Sequence, residues 1–340
     1  MRSEIAIDLG ALRRNARTLL LALDGAELWA VVKANAYGHG ARDCARAALD
    51  AGASALCVAT VPEALELRPE LPDARIVVLG PGSPGEIAQA RDAHFELVVS
   101  GAELPDGVPL HLKLDSGMGR WGLSELPAPG RELAGVMTHL ATADSDLDFA
   151  RVQLRRFREA TEPLGDVTRH AANSAAALRL PEARLDAARC GIALYGLSPF
   201  GTDAADDGLE PVLSWRSEIA LSKLLRAGDS TGYGRRFVAA QDTWIGIVPV
   251  GYADGFRRDL TGTEVCVEGK RRRIVGTVSM DAVAVGLDRE LPAGTPATIV
   301  GDGVTLEEHA RVAGTINYEL VCGIESSPTR ARRVVVGERE

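Results

Sequence analysis

Lysine is nearly absent from this sequence of 340 residues: of 38 basic side chains only Lys33, Lys113, Lys223 and Lys270 are lysines, and the remaining 34 are arginines. Tyrosine is scarce too, at five. A composition that defaults to arginine makes each surviving lysine or tyrosine a stronger candidate for a chemical requirement. No stretch approaches about 18 uninterrupted apolar residues, which excludes a membrane-spanning helix. The opening MRSEIAIDLGALRRN carries acids and no apolar core, so a secretory signal is not expected and the expected location is the cytoplasm. The five cysteines, at 44, 57, 190, 266 and 322, are odd in number, widely spaced and without a C-x-x-C pair, as reduced thiols are. Dense basic runs are missing as well, and with a net charge of −9 this argues against a nucleic-acid partner.

What is present is an ordinary globular balance, 46% apolar and 25% charged, in a chain long enough for two domains. Eight apolar runs follow one another through the first 195 residues: LWAVVK (28–33), ALCVAT (55–60), ARIVVLG (74–80), FELVV (95–99), PLHLKLD (109–115), ELAGVMTHL (132–140), VTRHAA (167–172) and AARCGI (187–192). Helical segments separate several of them, among them HGARDCARAALDAG, PEALELRPELP, SPGEIAQARDAH and DLDFARVQLRRFREATEPLG. Strands buried on both faces and alternating with helices imply parallel βα units, and eight of them predict a (β/α)₈ TIM-like barrel. The connections at 100–108 and 123–131 are too short for full helices.

After Pro199 the texture changes. The acidic, Gly-rich FGTDAADDGLEP (200–211) reads as a linker, and β-branched runs separated by turn residues follow it. The expected organisation is a barrel over residues 1–205 and a C-terminal all-β domain over 206–340. Within the second domain, Thr305 and Glu308 form a capping-box pattern that starts a short helix.

The chemistry-bearing residues fall at strand ends. In AVVKANAYGHG (30–40), Lys33 closes the first barrel strand, where poor solvation favours a neutral, nucleophilic amine. Tyr37 lies in the turn that follows. In HLKLDSGMGRWG (111–122), Lys113 occupies an apolar strand, a costly place for an unpaired charge. VMTHLATAD (136–144) contains His139 and Asp144, RHAANSAA (169–176) ends with Asn173 and Ser174 as helix-capping residues, and ARCGIALYG (188–196) carries Arg189 before Gly191 and Ile192. In the second domain, GDSTGYGRRF holds Tyr233, PVGYADGFRR holds Tyr252 and Arg258, TVSMDAV holds Met280, and TINYEL holds Tyr318.

AVVKANAYGHG, together with the ordered motifs from IAIDLGALRRN to INYEL, resembles the alanine racemases, pyridoxal-phosphate enzymes of fold type III. The resemblance covers nearly the whole chain. It implies that Lys33 holds pyridoxal 5'-phosphate as a Schiff base and acts as one acid/base group, with Tyr233 of a partner chain as the other. It assigns Tyr37, Ser174, Gly191, Ile192 and Tyr318 to the phosphate, His139 to the cofactor ring and Arg189 to the ring nitrogen. A guanidinium donates a hydrogen bond there without fully protonating the ring, so the ring is a weaker electron sink and racemisation is favoured over transamination.

The same resemblance assigns Arg120 and the Met280 amide to the substrate carboxylate, makes Lys113 a site of carbamylation, and places Tyr252, Asp144 and Arg258 at the entrance. It implies a head-to-tail homodimer with shared sites, alanine as substrate, no metal, and D-alanine supply for bacterial cell-wall peptidoglycan. Two departures stand out: Ser279 replaces the more usual cysteine, and Thr277 stands where many members carry an arginine, which implies a less basic entrance. The alternatives are a serine or broad-spectrum racemase of the same family, a non-catalytic pyridoxal-phosphate carrier, which would lack the β domain, and a metal-dependent barrel hydrolase using His139, His170 and Asp144.

Overall fold

The computed structural model describes residues 2–101, 103–127 and 132–337. It contains two compact units, residues 11–210 and residues 1–10 with 211–340.

In the first unit, β2 (Glu27–Val31), β3 (Ala55–Val58), β4 (Ile76–Val78), β5 (Glu96–Val99), β6 (Leu110–Lys113), β7 (Leu133–Met137), β8 (Thr168–His170) and β9 (Ala187–Cys190) form a closed parallel barrel. All eight apolar runs supply a strand. β2 pairs with both β3 and β9, which closes the ring. The chain also contains α1 (Leu9–Leu23), α2 (Lys33–Tyr37), α3 (Ala41–Asp50), α4 (Val61–Leu67), α5 (Pro84–Asp92), α6 (Leu147–Thr161) and α7 (Ser174–Arg179). Capping boxes at Thr60/Glu63 and Ser83/Glu86 start α4 and α5. Among the described residues between β5 and β6, and between β6 and β7, there is no helix, as the short connections predict; Ala102 and residues 128–131 of those stretches lie outside the described residues.

The second unit is a nine-stranded sheet in the order β11-β14-β17-β16-β15-β18-β10-β1-β19, with a separate β12-β13 ribbon. Its strands are β1 (Glu4–Asp8), β10 (Leu213–Glu218), β11 (Leu221–Leu225), β12 (Ser230–Thr231), β13 (Phe237–Val238), β14 (Thr243–Val248), β15 (Glu264–Val267), β16 (Lys270–Val275), β17 (Val283–Leu287), β18 (Pro296–Val300) and β19 (Arg332–Val336). Two helices join it, α8 (Leu306–Ala313), capped by Thr305 and Glu308, and α9 (Asn317–Cys322).

The units differ from the expected division at both ends. β1 pairs antiparallel with β10 and parallel with β19, so the first residues belong with the C-terminal sheet. The linker stretch is fastened to the barrel unit up to Glu210. Asn15 donates to the Leu194 and Glu210 carbonyls and accepts from the Glu210 amide, and Arg14 makes a forked pair with the Glu210 carboxylate.

The barrel interior holds a polar column. Arg75 forks onto the Glu96 carboxylate at 2.8 and 3.0 Å. Glu96 Oε2 lies 2.6 Å from His111 Nε2, and His111 Nδ1 lies 3.0 Å from His170 Nε2. Trp29 packs on both imidazoles, with centroids 5.6 and 4.4 Å away. Gly135 sits opposite His111 across β6 and β7, and a Cβ there would come within 2.3 Å of His111 Nδ1, so only glycine leaves the ring its place.

Burial opposes ionisation of Glu96, but hydrogen bonds from His111 and Arg75 outweigh it and bring the carboxyl down to about 2. Burial also lowers His111, against the pull of Glu96, and holds His170 well below its ordinary value, helped by the charge of Arg189.

Groups lowered in the folded state add stability above their ordinary pKa that is lost as the pH falls. For Glu96 the window runs from 4.5 down to about 2 and is worth on the order of 3 kcal/mol. Urea titrations should therefore show a stability gap between wild type and Glu96→Gln that is full at pH 6 and shrinks below pH 4.5; a gap unchanged at pH 3 would contradict the ionised, paired Glu96. At pH 7, Gly135→Ala should cost about 1–3 kcal/mol in the same assay, and an unchanged midpoint would contradict the close packing.

Candidate functional site

Parallel strands present their C-terminal ends at one mouth, and the barrel unit's candidate residues gather there. Lys33 lies two residues beyond β2 rather than closing it. It opens a turn in which Ala34, Asn35, Ala36 and Tyr37 all adopt left-handed φ of 52–54°. Each such non-glycine residue costs roughly 1–2 kcal/mol, so the turn needs outside support. Glu63 supplies some of it by accepting from the Ala34 amide at 2.8 Å and the Ala59 amide at 2.7 Å. Asn35 Oδ1 accepts from the Ala41 amide, and the His39 ring donates to the Ala36 and Tyr37 carbonyls.

Tyr195 completes the support. Fully buried, it donates its hydroxyl to the Val31 carbonyl at 2.8 Å and packs against the Tyr37 and His39 rings. Tyr37 is buried, and its hydroxyl reaches Gly191 so closely that a Cβ there would lie 2.4 Å away. Gly191 and Ala193 donate their amides to Ser174 Oγ at 3.1 and 3.4 Å, and Asn173 caps α7 through the Ala176 amide. Ile192 follows Gly191 at the start of a buried 3₁₀ turn. Tyr37, Ser174, Gly191 and Ile192 therefore do come together, after the last two strands.

Arg189 lies within β9 and is buried. Nη1 donates to the His170 carbonyl at 2.8 Å and lies 2.9 Å from His170 Nδ1; Nη2 donates to the Thr138 and Ala171 carbonyls and lies 3.4 Å from His139 Nδ1. Among the described residues no carboxylate pairs with it, and its Nε–H has no acceptor. Burial lowers it to about 10. His139 follows β7, and burial together with the charges of Arg189, Lys113, Arg120 and Lys33 lowers it to about 3, so it is a neutral imidazole.

Lys113 is the last residue of β6 and is buried. Burial and then Arg189 and Arg120 lower it to about 8. Asp115 pulls the other way, but that carboxylate accepts from the amides of Gly117, Met118 and Gly119. Trp121 carries both neighbouring cations on its ring, Lys113 at 5.7 Å and Arg120 at 5.8 Å. Asp144 is exposed beyond β7. His139 and His170 both face the Arg189 guanidinium, which sits where a metal cation would have to bind, so the hydrolase reading has no ligand set here.

In the second unit Tyr233 is 70% exposed on a turn whose carbonyl accepts from the Thr277 hydroxyl at 2.9 Å. Tyr252 and Met280 are also exposed, and Tyr318 is half-buried at the start of α9. Tyr252 and Arg258 share an open cleft of about 810 Å³ with Thr277 and Arg236. Arg257 and Asp259 also line this cleft.

Sequence reasoning missed Glu63, Trp29, Glu96, His111, Gly135 and Trp121, and left Tyr195 without a role. A signal existed for two of them: FELVV and PLHLKLD each carry a polar residue inside an apolar run.

Models of the alanine racemase N-terminal and C-terminal domains match residues 7–199 and 212–334. The chain is 40% identical over 357 residues to alanine racemase 1 of Bacillus subtilis, covering 95% of this chain and 91% of that one. It is 40% identical to the alanine racemase of Streptomyces coelicolor, covering 99% and 97%. The crystal structure of alanine racemase from Streptomyces lavendulae, a D-cycloserine producer, matches with a TM-score of 0.91 at 37% identity over 99% of this chain and 97% of that one. With both of its units matched at this depth and its barrel mouth arranged as described, the chain belongs to the alanine racemase family of isomerases.

Proposed function

We propose that this protein interconverts L- and D-alanine with pyridoxal phosphate bound at the barrel mouth, Lys33 and Tyr233 of a second copy moving the α-proton on opposite faces. The observation that carries the reading is the gathering of positive charge at the mouth. Lys33, Lys113, Arg120 and Arg189 all push the His139 pKa down, and the nearby Asp115 is committed to three backbone amides. Such a site favours an anion, and a phosphate beside a substrate carboxylate fits it.

The residues present fit the cofactor. Gly191 leaves room at the Tyr37 hydroxyl, and Ser174 with the Gly191 amide forms a polar cradle after β9. These groups, with Ile192 and Tyr318, would hold the phosphate, while Arg189 would meet the ring nitrogen and His139 the ring. Bound pyridoxal phosphate supplies an aldehyde that condenses with amines and a ring that withdraws electron density from the α-carbon.

The protein's part is to bind, orient and move one proton. Lys33 would hold the cofactor through its amine, and the same amine would take or return the α-proton of alanine on its own face. A single base would tend to give the proton back to the side it came from. Tyr233 answers from the opposite face, and its exposure on a turn fastened by Thr277 suits a phenol that serves a second copy. A head-to-tail homodimer follows from that assignment. Arg120 and the Met280 amide would hold the substrate carboxylate, and Tyr252, Asp144 and Arg258 would line the way in. At about 8, Lys113 has a neutral fraction able to add CO₂, releasing a proton and leaving a carbamate anion among the cations.

Lys33→Ala should abolish both the visible cofactor absorbance and borohydride trapping on the chain. Tyr233→Phe should keep the absorbance and lower alanine racemisation by roughly 10²–10⁴-fold. Wild-type turnover in purified Tyr233→Phe, followed by α-proton exchange from both enantiomers in D₂O, would refute the two-base assignment. Sedimentation should show a dimer, and a fully active monomer would refute the shared site.

A further inference from the structure

The chain of contacts behind Arg189 has only one possible direction. A guanidinium is a donor at every nitrogen, so His170 Nδ1, 2.9 Å from Arg189 Nη1, has to accept. The neutral His170 ring therefore carries its proton on Nε2, which donates to His111 Nδ1 at 3.0 Å. His111 is fixed the same way and donates from Nε2 to the Glu96 carboxylate at 2.6 Å. No other placement of protons satisfies all three contacts.

We propose that Glu96 is a positioning residue for Arg189, acting through this directional Glu96–His111–His170–Arg189 chain. It rests on the reading of Arg189 as the partner of the cofactor's ring nitrogen. Glu96 starts β5 and Arg189 lies next to the last residue of β9, so the chain crosses the barrel from its N-terminal end toward its C-terminal mouth. It connects the cation to a carboxylate that does not touch it.

Three further residues keep the chain in place. Arg75 fixes the Glu96 carboxylate with a fork and lies over Trp29, which packs on both imidazoles, while Gly135 leaves the space that His111 fills. Apolar side chains would fill this interior at lower desolvation cost than two charges and two imidazoles. What the polar column adds is polarity: an anion at the far end opposes release of the Arg189 protons, so the guanidinium remains a donor of moderate strength. With four of its N–H groups directed at His170, Thr138, Ala171 and His139, the Nε–H is left for the ring nitrogen.

If Glu96 loses its charge, the Arg189 protons become more acidic and the ring a stronger electron sink. More turnovers should then end in transamination, in which alanine and pyridoxal phosphate give pyruvate and pyridoxamine phosphate. Two measurements test this separately. Neutron diffraction from the perdeuterated full-length protein as purified should place deuterons on Nε2 of His111 and His170 and none on Nδ1. A deuteron on either Nδ1 would overturn the chain, whatever the cofactor does.

In the loaded enzyme, pyruvate released per racemisation, read with lactate dehydrogenase, should rise roughly threefold or more in Glu96→Gln, and likewise in Gly135→Ala, where Glu96 is intact but His111 is displaced. A purely structural column would lower stability and leave that ratio unchanged, which would overturn the positioning role. Failure to bind pyridoxal phosphate at all would overturn the cofactor reading and leave the deuteron positions as the test of the chain.

Discussion

Arg189 is a permanent cation buried in a closed barrel, with no carboxylate beside it among the described residues. Desolvating such a charge costs several kcal/mol unless the surroundings answer it. The barrel answers in two ways, with three backbone carbonyls around the guanidinium and with a hydrogen-bonded path to Glu96. Much of the interior follows from that need. The imidazoles have to be neutral and of one tautomer, Trp29 has to cover them, and β7 has to carry glycine opposite β6. The same charge reaches the mouth, where it adds to the burial that keeps His139 neutral and lowers Lys113.

Against this electrostatic frame, Lys33 is placed by backbone strain. Four consecutive left-handed residues without glycine among them would not persist as an isolated segment. They persist because Glu63, Asn35 and His39 satisfy the turn's amides and carbonyls while Tyr195 backs Tyr37 and ties itself to the end of β2. The turn brings Lys33 and the Tyr37 hydroxyl into the mouth only four residues apart. An ordinary right-handed helix from Lys33 would point these side chains along a different path.

The eight barrel strands were legible because parallel strands buried on both faces read as unbroken apolar runs. β1 and β19 were not, since each is a short terminal segment whose partners are remote: β1 pairs with residues 213–216 and 332–336. The left-handed turn was hidden because alanine and tyrosine rarely adopt positive φ, and Asn35 with the nearby Gly38 and Gly40 suggested only an ordinary turn. Lys33, Arg189 and Ser174 were readable as strand-end chemistry. Their supports were not, because Glu63 looks like a capping residue and Glu96 like a stray acid at the edge of a strand. Both appearances are true locally, and the further role of each depends on contacts 29 and 15 positions away in sequence, to Ala34 and to His111.

The scarcity of lysine acquires a physical meaning from this arrangement. Lys223 and Lys270 stand exposed on β11 and β16, where arginine would serve equally well. Lys33 and Lys113 occupy the mouth, where burial and then the charges of Arg189, Arg120 and Lys33 lower Lys113 to about 8. An arginine at either position would remain charged whatever its neighbours, whereas an amine can shed its proton and become a nucleophile. The repulsion that makes this possible weakens the ligand-free barrel, and an anion entering the mouth relieves it. Binding and folding stability are therefore linked at this site: whatever phosphate or carboxylate the mouth takes up stabilises the barrel by an amount that grows with the logarithm of its concentration above its dissociation constant.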